Sequence, residues 1–234
     1  NDSSFFTSLL NLEPSKNKIL IKNSNIFLKG IDNEILFINK IIKGKFFYDA
    51  NNLKNVFTSK NEIFNIPYQL KIQNDKFNKK IISIFNSKKI RLNIKNEIDY
   101  EEKNIEGILD ILLINKSTSL NYKIKKNSLK FNSIENKNPY DGLVNFKPFY
   151  LLSNFNYEGL SVKNLFDNQS IFIDLLKTEI FNNKNLNINV NLKINDITNI
   201  NELNNLFLKL EIQEGEIRFT DSSVQWKDDL EIIF

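Results

Sequence analysis

The chain has 234 residues, of which 41% are hydrophobic and 26% charged, and its formal net charge is +4. This composition supports a sizeable buried core and argues against an intrinsically disordered chain. The lysines are spread among Asn, Asp and Glu residues, which argues against the concentrated basic stripe of a nucleic-acid-binding protein.

The sequence contains no Cys, no His and no Met. Without Cys it has neither a disulfide framework nor thiol chemistry, and without His it lacks the commonest general base and metal ligand. The apolar stretch Ile108 to Ile114 is shorter than the roughly 20 residues that a membrane-spanning helix needs. Because even the first residue is not Met, we expect the chain to be an excerpt of a longer protein.

The N-terminal region changes from a helical pattern to a strand pattern. Phe5 to Leu10 has the spacing of a short helix, which Pro14 would end. Short strands are then predicted at 19–21, 26–28, 35–38 and 45–48. Asn23 to Asn25 predicts a turn, and residues 49–59, which lack alternation, predict a loop or a short helical turn.

From residue 68 onwards, alternating runs recur roughly every 10 to 14 residues, a spacing typical of a long antiparallel meander. These runs lie at 68–72, 80–85, 89–94, 105–114, 119–125 and 129–134. Asn138 to Gly142 predicts a turn, because Pro139 fixes φ and Gly142 can adopt a positive φ.

The C-terminal third contains one predicted helix followed by the strictest alternation in the chain. Residues 162–181 carry apolar side chains at three- to four-residue spacings, which predicts an amphipathic helix. Residues 185–195, NLNINVNLKIN, alternate strictly, and residues 206–212 repeat the pattern. We therefore predict a β section at 1–161 and a helix with C-terminal strands at 162–234, which could form one continuous domain.

The sequence offers little for catalysis. Its six glycines are scattered, so no phosphate-binding glycine loop is present. The carboxylate pairs Glu101–Glu102 and Asp228–Asp229 are adjacent in sequence, and neighbouring residues of a strand point to opposite faces. We therefore predict that the protein is not an enzyme and uses no cofactor and no metal.

A family resemblance enters at Gly215 to Asp228, GEIRFTDSSVQWKD, which resembles the C-terminal region of AsmA-like proteins. The likeness extends upstream to about residue 140. It implies a mainly β protein with few helices, a long antiparallel meander that forms a curved, taco-shaped groove. It also implies a periplasmic body, an inner-membrane anchor outside this segment, and a role in phospholipid transport between the two membranes and in outer-membrane homeostasis.

A strand face that is continuously apolar must be covered, and acyl chains of lipids are one possible cover. The candidate lipid-lining residues are Leu186, Ile188, Val190, Leu192, Ile194, Leu206, Leu208 and Leu210. We expect a phospholipid or another acyl-chain lipid as partner, contact with the membrane through the anchor, and no nucleic acid.

Two other function classes stay open at this point. A non-catalytic scaffold for outer-membrane protein assembly would use other envelope proteins as partners. A carbohydrate-active or adhesive β-protein would need polar and aromatic residues that converge on one exposed face, and the sequence does not indicate such a set.

Overall fold

The computed structural model describes residues 18–29, 33–99, 105–113, 116–135, 137–146, 148–161, 183–198, 200, 202–227 and 230–234. Within these ranges the only regular elements are β-strands. The helices predicted at 5–10 and 162–181 lie outside the described residues. Among the residues that are described, no helix is long and apolar enough to cross a membrane.

The described residues form fifteen strands. They are β1 (Ile19–Lys29), β2 (Ile35–Asp49), β3 (Lys54–Ile63), β4 (Ile66–Asp75), β5 (Lys80–Ser87), β6 (Leu92–Asp99), β7 (Ile105–Leu113), β8 (Lys116–Lys125), β9 (Ser128–Ser133), β10 (Tyr140–Phe146), β11 (Phe149–Leu160), β12 (Ile188–Ile197), β13 (Leu203–Gln213), β14 (Glu216–Trp226) and β15 (Leu230–Ile233).

The strands lie in one sheet, and their order in the sheet is their order in the chain, from β1 to β15. Pairing is antiparallel from β2 to β7, from β9 to β11 and from β12 to β15. The predicted fold class, a mainly β chain built as a long meander, is confirmed. Among the described strands, β1 and β15 are the two ends of this order. A groove-like sheet likewise has two end strands.

One pair departs from the antiparallel rule, because β11 and β12 run parallel, with Leu151 opposite Ile188 and Tyr157 opposite Ile194. Parallel neighbours need a crossover connection of a dozen or more residues. The connection between these strands, residues 161–187, has roughly 27 residues and therefore meets that requirement.

The described residues group into two compact units. The first unit lies within Asn1–Leu28 and Phe37–Lys123, and the second within Lys29–Leu36 and Ile124–Phe234. The boundary predicted at residue 161 stays a prediction.

Hairpins of the first unit repeat one turn design. Asp49 opposes Lys54, and Asp75 opposes Lys80, so each pair flanks a four-residue loop. In each loop the aspartate accepts a hydrogen bond from the backbone N–H of the asparagine three positions later, at 3.2 and 2.9 Å. The last loop residue takes a positive φ in both cases, which places it in the left-handed region: Leu53 (φ 52°) and Lys79 (φ 52°).

Several predictions for the first unit were wrong. The strands predicted at 35–38 and 45–48 are one strand, β2, and residues 89–91 of the strand predicted at 89–94 lie in the turn before β6. β1 runs unbroken through Asn23, where the predicted turn is reduced to a single positive φ of 47°. Asparagine tolerates this conformation better than most residues, so the strand absorbs it. Residues 54–59, predicted as part of a loop, belong to β3. This strand places buried Asn55, Ser59 and Asn61 on the same face as Phe57, which conceals the apolar alternation.

Gly142 also has a different role from the predicted one. It lies inside β10, opposite Phe131 and Ser153, rather than in a turn. A Cβ at this position would overlap the Phe131 ring and the carbonyl oxygen of Leu152. Glycine is therefore required by the close approach of neighbouring strands, not by a positive φ.

The hydrophobic core of the second unit centres on the paired strands β12 and β13. Ile194, Ile197 and Leu206 are buried and form its centre. The half-buried side chains packed around them are Tyr157, Leu160, Leu192, Leu203, Leu208 and Val224. This cluster contains several of the residues that the sequence assigns to lipid contact.

Candidate functional site

The predicted lining residues of β12 and β13 form a cross-strand ladder on one face of the second unit. Antiparallel pairing places each of them directly opposite another aliphatic side chain. Residues opposite each other share a face of the sheet. The pairs are Ile188–Ile212, Val190–Leu210, Leu192–Leu208 and Ile194–Leu206.

Burial along this ladder is graded. Ile194 is 0% exposed and Leu206 is also buried, so both belong to the core. Ile188, Val190, Leu192, Leu208 and Leu210 are half-buried and keep part of their apolar surface accessible. The predicted set therefore contains five residues that a ligand could touch and three buried residues, of which Ile194 and Leu206 belong to the core cluster. Leu186 is buried and lies before β12 begins.

The ladder continues onto β11 through the parallel pair. Leu151 lies opposite Ile188, Phe155 opposite Leu192, and Tyr157 opposite Ile194. The Phe155 and Tyr157 rings stack with their centroids 6.4 Å apart. Sequence analysis placed a strand here but did not assign these residues to the site, because only the parallel register shows which residues β12 meets.

The opposite face of the same strands carries a chain of polar side chains. The Asn191 side-chain amide donates to Asn154 Oδ1 at 2.9 Å, and the Asn154 amide donates to Asp141 Oδ2 at 3.1 Å. On the neighbouring strand Lys209 pairs with Glu211 and Asp221, at 3.2 Å each. From Ile188 to Ile194, β12 and β13 thus have an aliphatic face and an opposite face that is polar apart from Phe207.

The first unit is amphipathic in the same way, but its separation of charge is stricter. The register from β2 to β7 places all the Lys, Asp and Glu residues of these strands on one face. We call this the polar face of the first unit, and the other its apolar face. One cross-strand row of the apolar face, from β3 to β7, consists of Ser59, Leu70, Phe85, Ile94 and Ile111.

The apolar face of the first unit is incompletely covered. Its aliphatic side chains on β4 to β7 are mostly half-buried, although they point away from the charged face. Ile81, Ile94 and Leu109 are examples. This face was not among the predicted site residues. The signal that could have found it is the alternation at 66–72, where Ile66, Tyr68, Leu70 and Ile72 alternate with Pro67, Gln69 and Lys71.

Two asparagines of this apolar face accept hydrogen bonds from tyrosines. The Tyr68 hydroxyl donates to Asn39 Oδ1 at 2.8 Å, and the Tyr122 hydroxyl donates to Asn96 Oδ1 at 2.7 Å. Gly107 makes room for Tyr122, because a Cβ there would lie 2.5 Å from the hydroxyl oxygen. Paired hydroxyl and amide groups add little to the polarity of the face.

Three tyrosines of the apolar faces, Tyr68, Tyr122 and Tyr157, have a raised pKa and stay protonated near neutral pH. Burial raises the pKa of Tyr68 to about 12, although its hydrogen bond with Asn39 opposes the shift. Burial also raises the pKa of Tyr122 and of Tyr157. Protonated tyrosines contribute no charge, so the apolar faces can meet a hydrocarbon ligand without burying a phenolate.

Ion pairs stabilise the charges of the first unit's polar face. Lys40 lies 3.0 Å from Glu62, and Lys54 lies 3.0 Å from Asp75. Lys80 lies 2.8 Å from Glu97, and this hydrogen bond lowers the pKa of the Glu97 carboxyl. Within the described residues, no group of three or more His, Cys, Asp or Glu side chains could hold a metal ion.

Comparisons of this chain with protein-family models, with curated proteins and with solved structures found no match. The likeness of Gly215 to Asp228 to AsmA-like proteins therefore stays a prediction, although the segment does form β14 and the turn before it.

Proposed function

We propose that the apolar faces of this sheet bind the acyl chains of lipids, and that the chain is a periplasmic segment of an AsmA-like protein that moves phospholipid between the inner and outer membranes. The observation that carries the proposal is the half-buried aliphatic ladder of β12 and β13, whose opposite face is polar apart from Phe207.

Physical chemistry favours a hydrocarbon ligand for such a surface. Each methylene moved from water into an apolar contact stabilises the complex by about 0.8 kcal/mol. The ladder offers branched aliphatic side chains without a charged neighbour between Ile188 and Ile194 on its face. Binding of this kind needs no nucleophile and no acid–base pair.

A pair of tryptophan probes tests the proposal. Trp226 is the only tryptophan, so a Trp226→Phe background leaves no intrinsic probe. Leu208→Trp then reports on the ladder, and Phe207→Trp reports on the opposite face one residue away. Vesicles whose acyl chains carry bromine should quench the probe at position 208 strongly and the probe at position 207 weakly.

Lipid content gives a second readout. The unmodified chain, purified from a Gram-negative host without detergent, should carry phospholipid that mass spectrometry detects. Leu208→Asn should reduce the bound lipid, whereas Phe207→Asn should leave it unchanged. Equal quenching of both probes, together with a lipid-free protein, would overturn the proposal.

The scaffold function remains the second candidate, and one observation favours it. Strands β14 and β15 expose large apolar side chains, as the surface of a protein-binding module would. The exposed residues are Ile217, Phe219, Trp226, Leu230, Ile232 and Ile233. A lipid-free, monodisperse chain that captures an envelope protein through this surface would favour the scaffold over lipid transport.

A further inference from the structure

The polar face of the first unit contains a depression of about 500 Å³ that is bordered by lysines. Lys43 and Lys45 come from β2, Lys60 from β3 and Lys71 from β4. Between the lysines, the depression is lined by residues that include Thr58, Ile84 and Asn86. We call this depression the lysine pocket.

The lysines of this pocket differ from the other lysines of the same face. None of the four lies within ion-pair distance of a carboxylate in the part of the chain that the structure describes. The other lysines of β2 to β7 do have such a partner: Lys40, Lys54, Lys80 and Lys95. Lys123 of β8 pairs with Glu106 of the same face. The pocket therefore carries an excess of positive charge, whereas the lysines on the rest of this face are neutralised by carboxylates.

The strand register places these lysines close to one another, so their charges destabilise the sheet in the absence of a ligand. Lys43 lies directly opposite Lys60, and like charges directly opposite each other destabilise a sheet. Lys45 lies opposite Thr58, which in turn lies opposite Lys71, so a second pair of lysines flanks one small side chain. A bound anion between these ammonium groups would remove the repulsion.

We propose that the lysine pocket binds a phosphate-bearing anion. A phosphate group carries up to two negative charges and three or more acceptor oxygens, which suits lysines that border one pocket from three strands. The Lys45 ammonium lies over the Phe47 ring, 4.6 Å from its centroid. The Thr58 hydroxyl and the Asn86 side chain lie in the same pocket and supply neutral hydrogen-bonding groups. The pocket volume exceeds that of one phosphate, so a phosphorylated small molecule or a phospholipid headgroup fits the same chemistry.

This site is independent of the proposed acyl-chain function. The register places the pocket lysines on the face opposite Phe57, Ile72 and the other apolar-face residues of the first unit. Gly44, Ser59 and Leu70, which the register assigns to the apolar face, also border the depression. One lipid molecule cannot place its chains on one face of a sheet and its phosphate in the middle of the other. The two proposals can therefore fail separately.

Two variants with equal charge loss test the proposal in the full 234-residue chain. The first combines Lys43→Gln, Lys60→Gln and Lys71→Gln. The control combines Lys40→Gln, Lys80→Gln and Lys123→Gln, which removes the same charge from paired lysines of the same face. Titration calorimetry with pyrophosphate and sedimentation with vesicles of phosphatidylglycerol or of phosphatidylcholine measure binding.

We expect the unmodified chain to bind pyrophosphate, phosphatidylglycerol vesicles, or both, and to bind them less tightly as salt is added. The pocket variant should bind at least about tenfold more weakly, whereas the control should stay within about twofold. Binding of pyrophosphate alone identifies a soluble ligand, and binding of vesicles alone identifies a headgroup. Failure to bind either probe, or an equal loss in both variants, overturns the proposal.

Discussion

The apolar faces of the two units are built from different residues. In the second unit β12 and β13 oppose aliphatic side chains only, from Ile188 to Ile194. In the first unit β3 alternates buried polar residues with Phe57 on the apolar face. Both designs form a sheet, so an aliphatic pattern is sufficient for a strand but is not necessary.

The difference shows how a strand without an apolar stripe is stabilised. Asn61 is 2% exposed, and its side-chain amide donates to Ser59 Oγ at 2.8 Å. Buried polar groups are tolerated when they are hydrogen-bonded, and they are costly when a partner is lost. The first unit thus depends on paired polar groups where the second depends on close apolar packing.

The largest expected effect comes from adding a side chain where strands of the second unit approach closely. Gly142→Ala should lower the free energy of unfolding by about 3 kcal/mol or more, because its Cβ would overlap the Leu152 carbonyl oxygen. Gly159→Ala is the matched control, since the nearest atom to its Cβ lies 3.7 Å away. Denaturant unfolding of both variants measures the difference, and a similar loss in both would contradict the close-approach explanation.

Removing an aliphatic side chain from the ladder should have the next largest effect. Ile194→Ala leaves a cavity at a fully buried site and should cost about 2–5 kcal/mol of unfolding free energy. Ile72→Ala on the half-buried apolar face of the first unit should cost roughly half as much, because part of its side chain already meets solvent. If denaturant unfolding gives equal losses, the two apolar faces do not differ in coverage.

Removing a buried polar side chain from β3 tests whether hydrogen-bonded polar groups stabilise the first unit. Asn61→Ala should cost about 1–3 kcal/mol, because it removes the Ser59 partner inside a buried environment. Glu62→Ala, on the opposite face of the same strand, should cost less than about 1 kcal/mol because it breaks only an exposed pair with Lys40. If Asn61→Ala leaves the free energy of unfolding unchanged, the buried hydrogen bond with Ser59 does not stabilise β3.

The smallest expected effect depends on pH. Hydrogen bonds from Asn78, with a contribution from Lys54, lower the pKa of Asp75 to about 2 from its usual 3.8. A depressed carboxyl pKa stabilises the fold above the unfolded-state pKa, and this stabilisation is lost as the pH falls from about 4 to 2.

Asp75→Asn checks the size and the sign of that contribution. The variant should be less stable than the unmodified chain by about 1–2 kcal/mol at pH 6, and the gap should close by about pH 2. Urea unfolding at several pH values measures it. A gap that stays constant down to pH 2 would show that the carboxylate charge is not what stabilises the turn.

Sequence reasoning succeeded where side-chain chemistry and strand period agree. The alternation at 186–194 and 206–212 placed β12 and β13 and the aliphatic residues that now face each other. It failed at β3, because Asn55, Ser59 and Asn61 have polar side chains in buried positions. It could not provide the parallel register of β11 and β12, since a period of two does not encode which strand becomes a neighbour.

The lysine pocket also lay beyond sequence reasoning. Lys43, Lys60 and Lys71 are far apart in the chain and look like part of an evenly scattered set. Only the register, together with the bulge between Ile41 and Lys43, brings them to one place on the polar face. Clustering across strands is a property of pairing, which composition and net charge do not record.

The parallel pair of β11 and β12 has a consequence for how the chain folds. The four-residue hairpin loops of the first unit join neighbouring strands at once, so those contacts are local and form rapidly. Leu151 and Ile188 can meet only after a connection of roughly 27 residues has closed, which costs about 1.5–2 kcal/mol more entropy than a four-residue loop. We therefore expect the segment from β12 to β15 to join the growing sheet in a separate, slower kinetic phase.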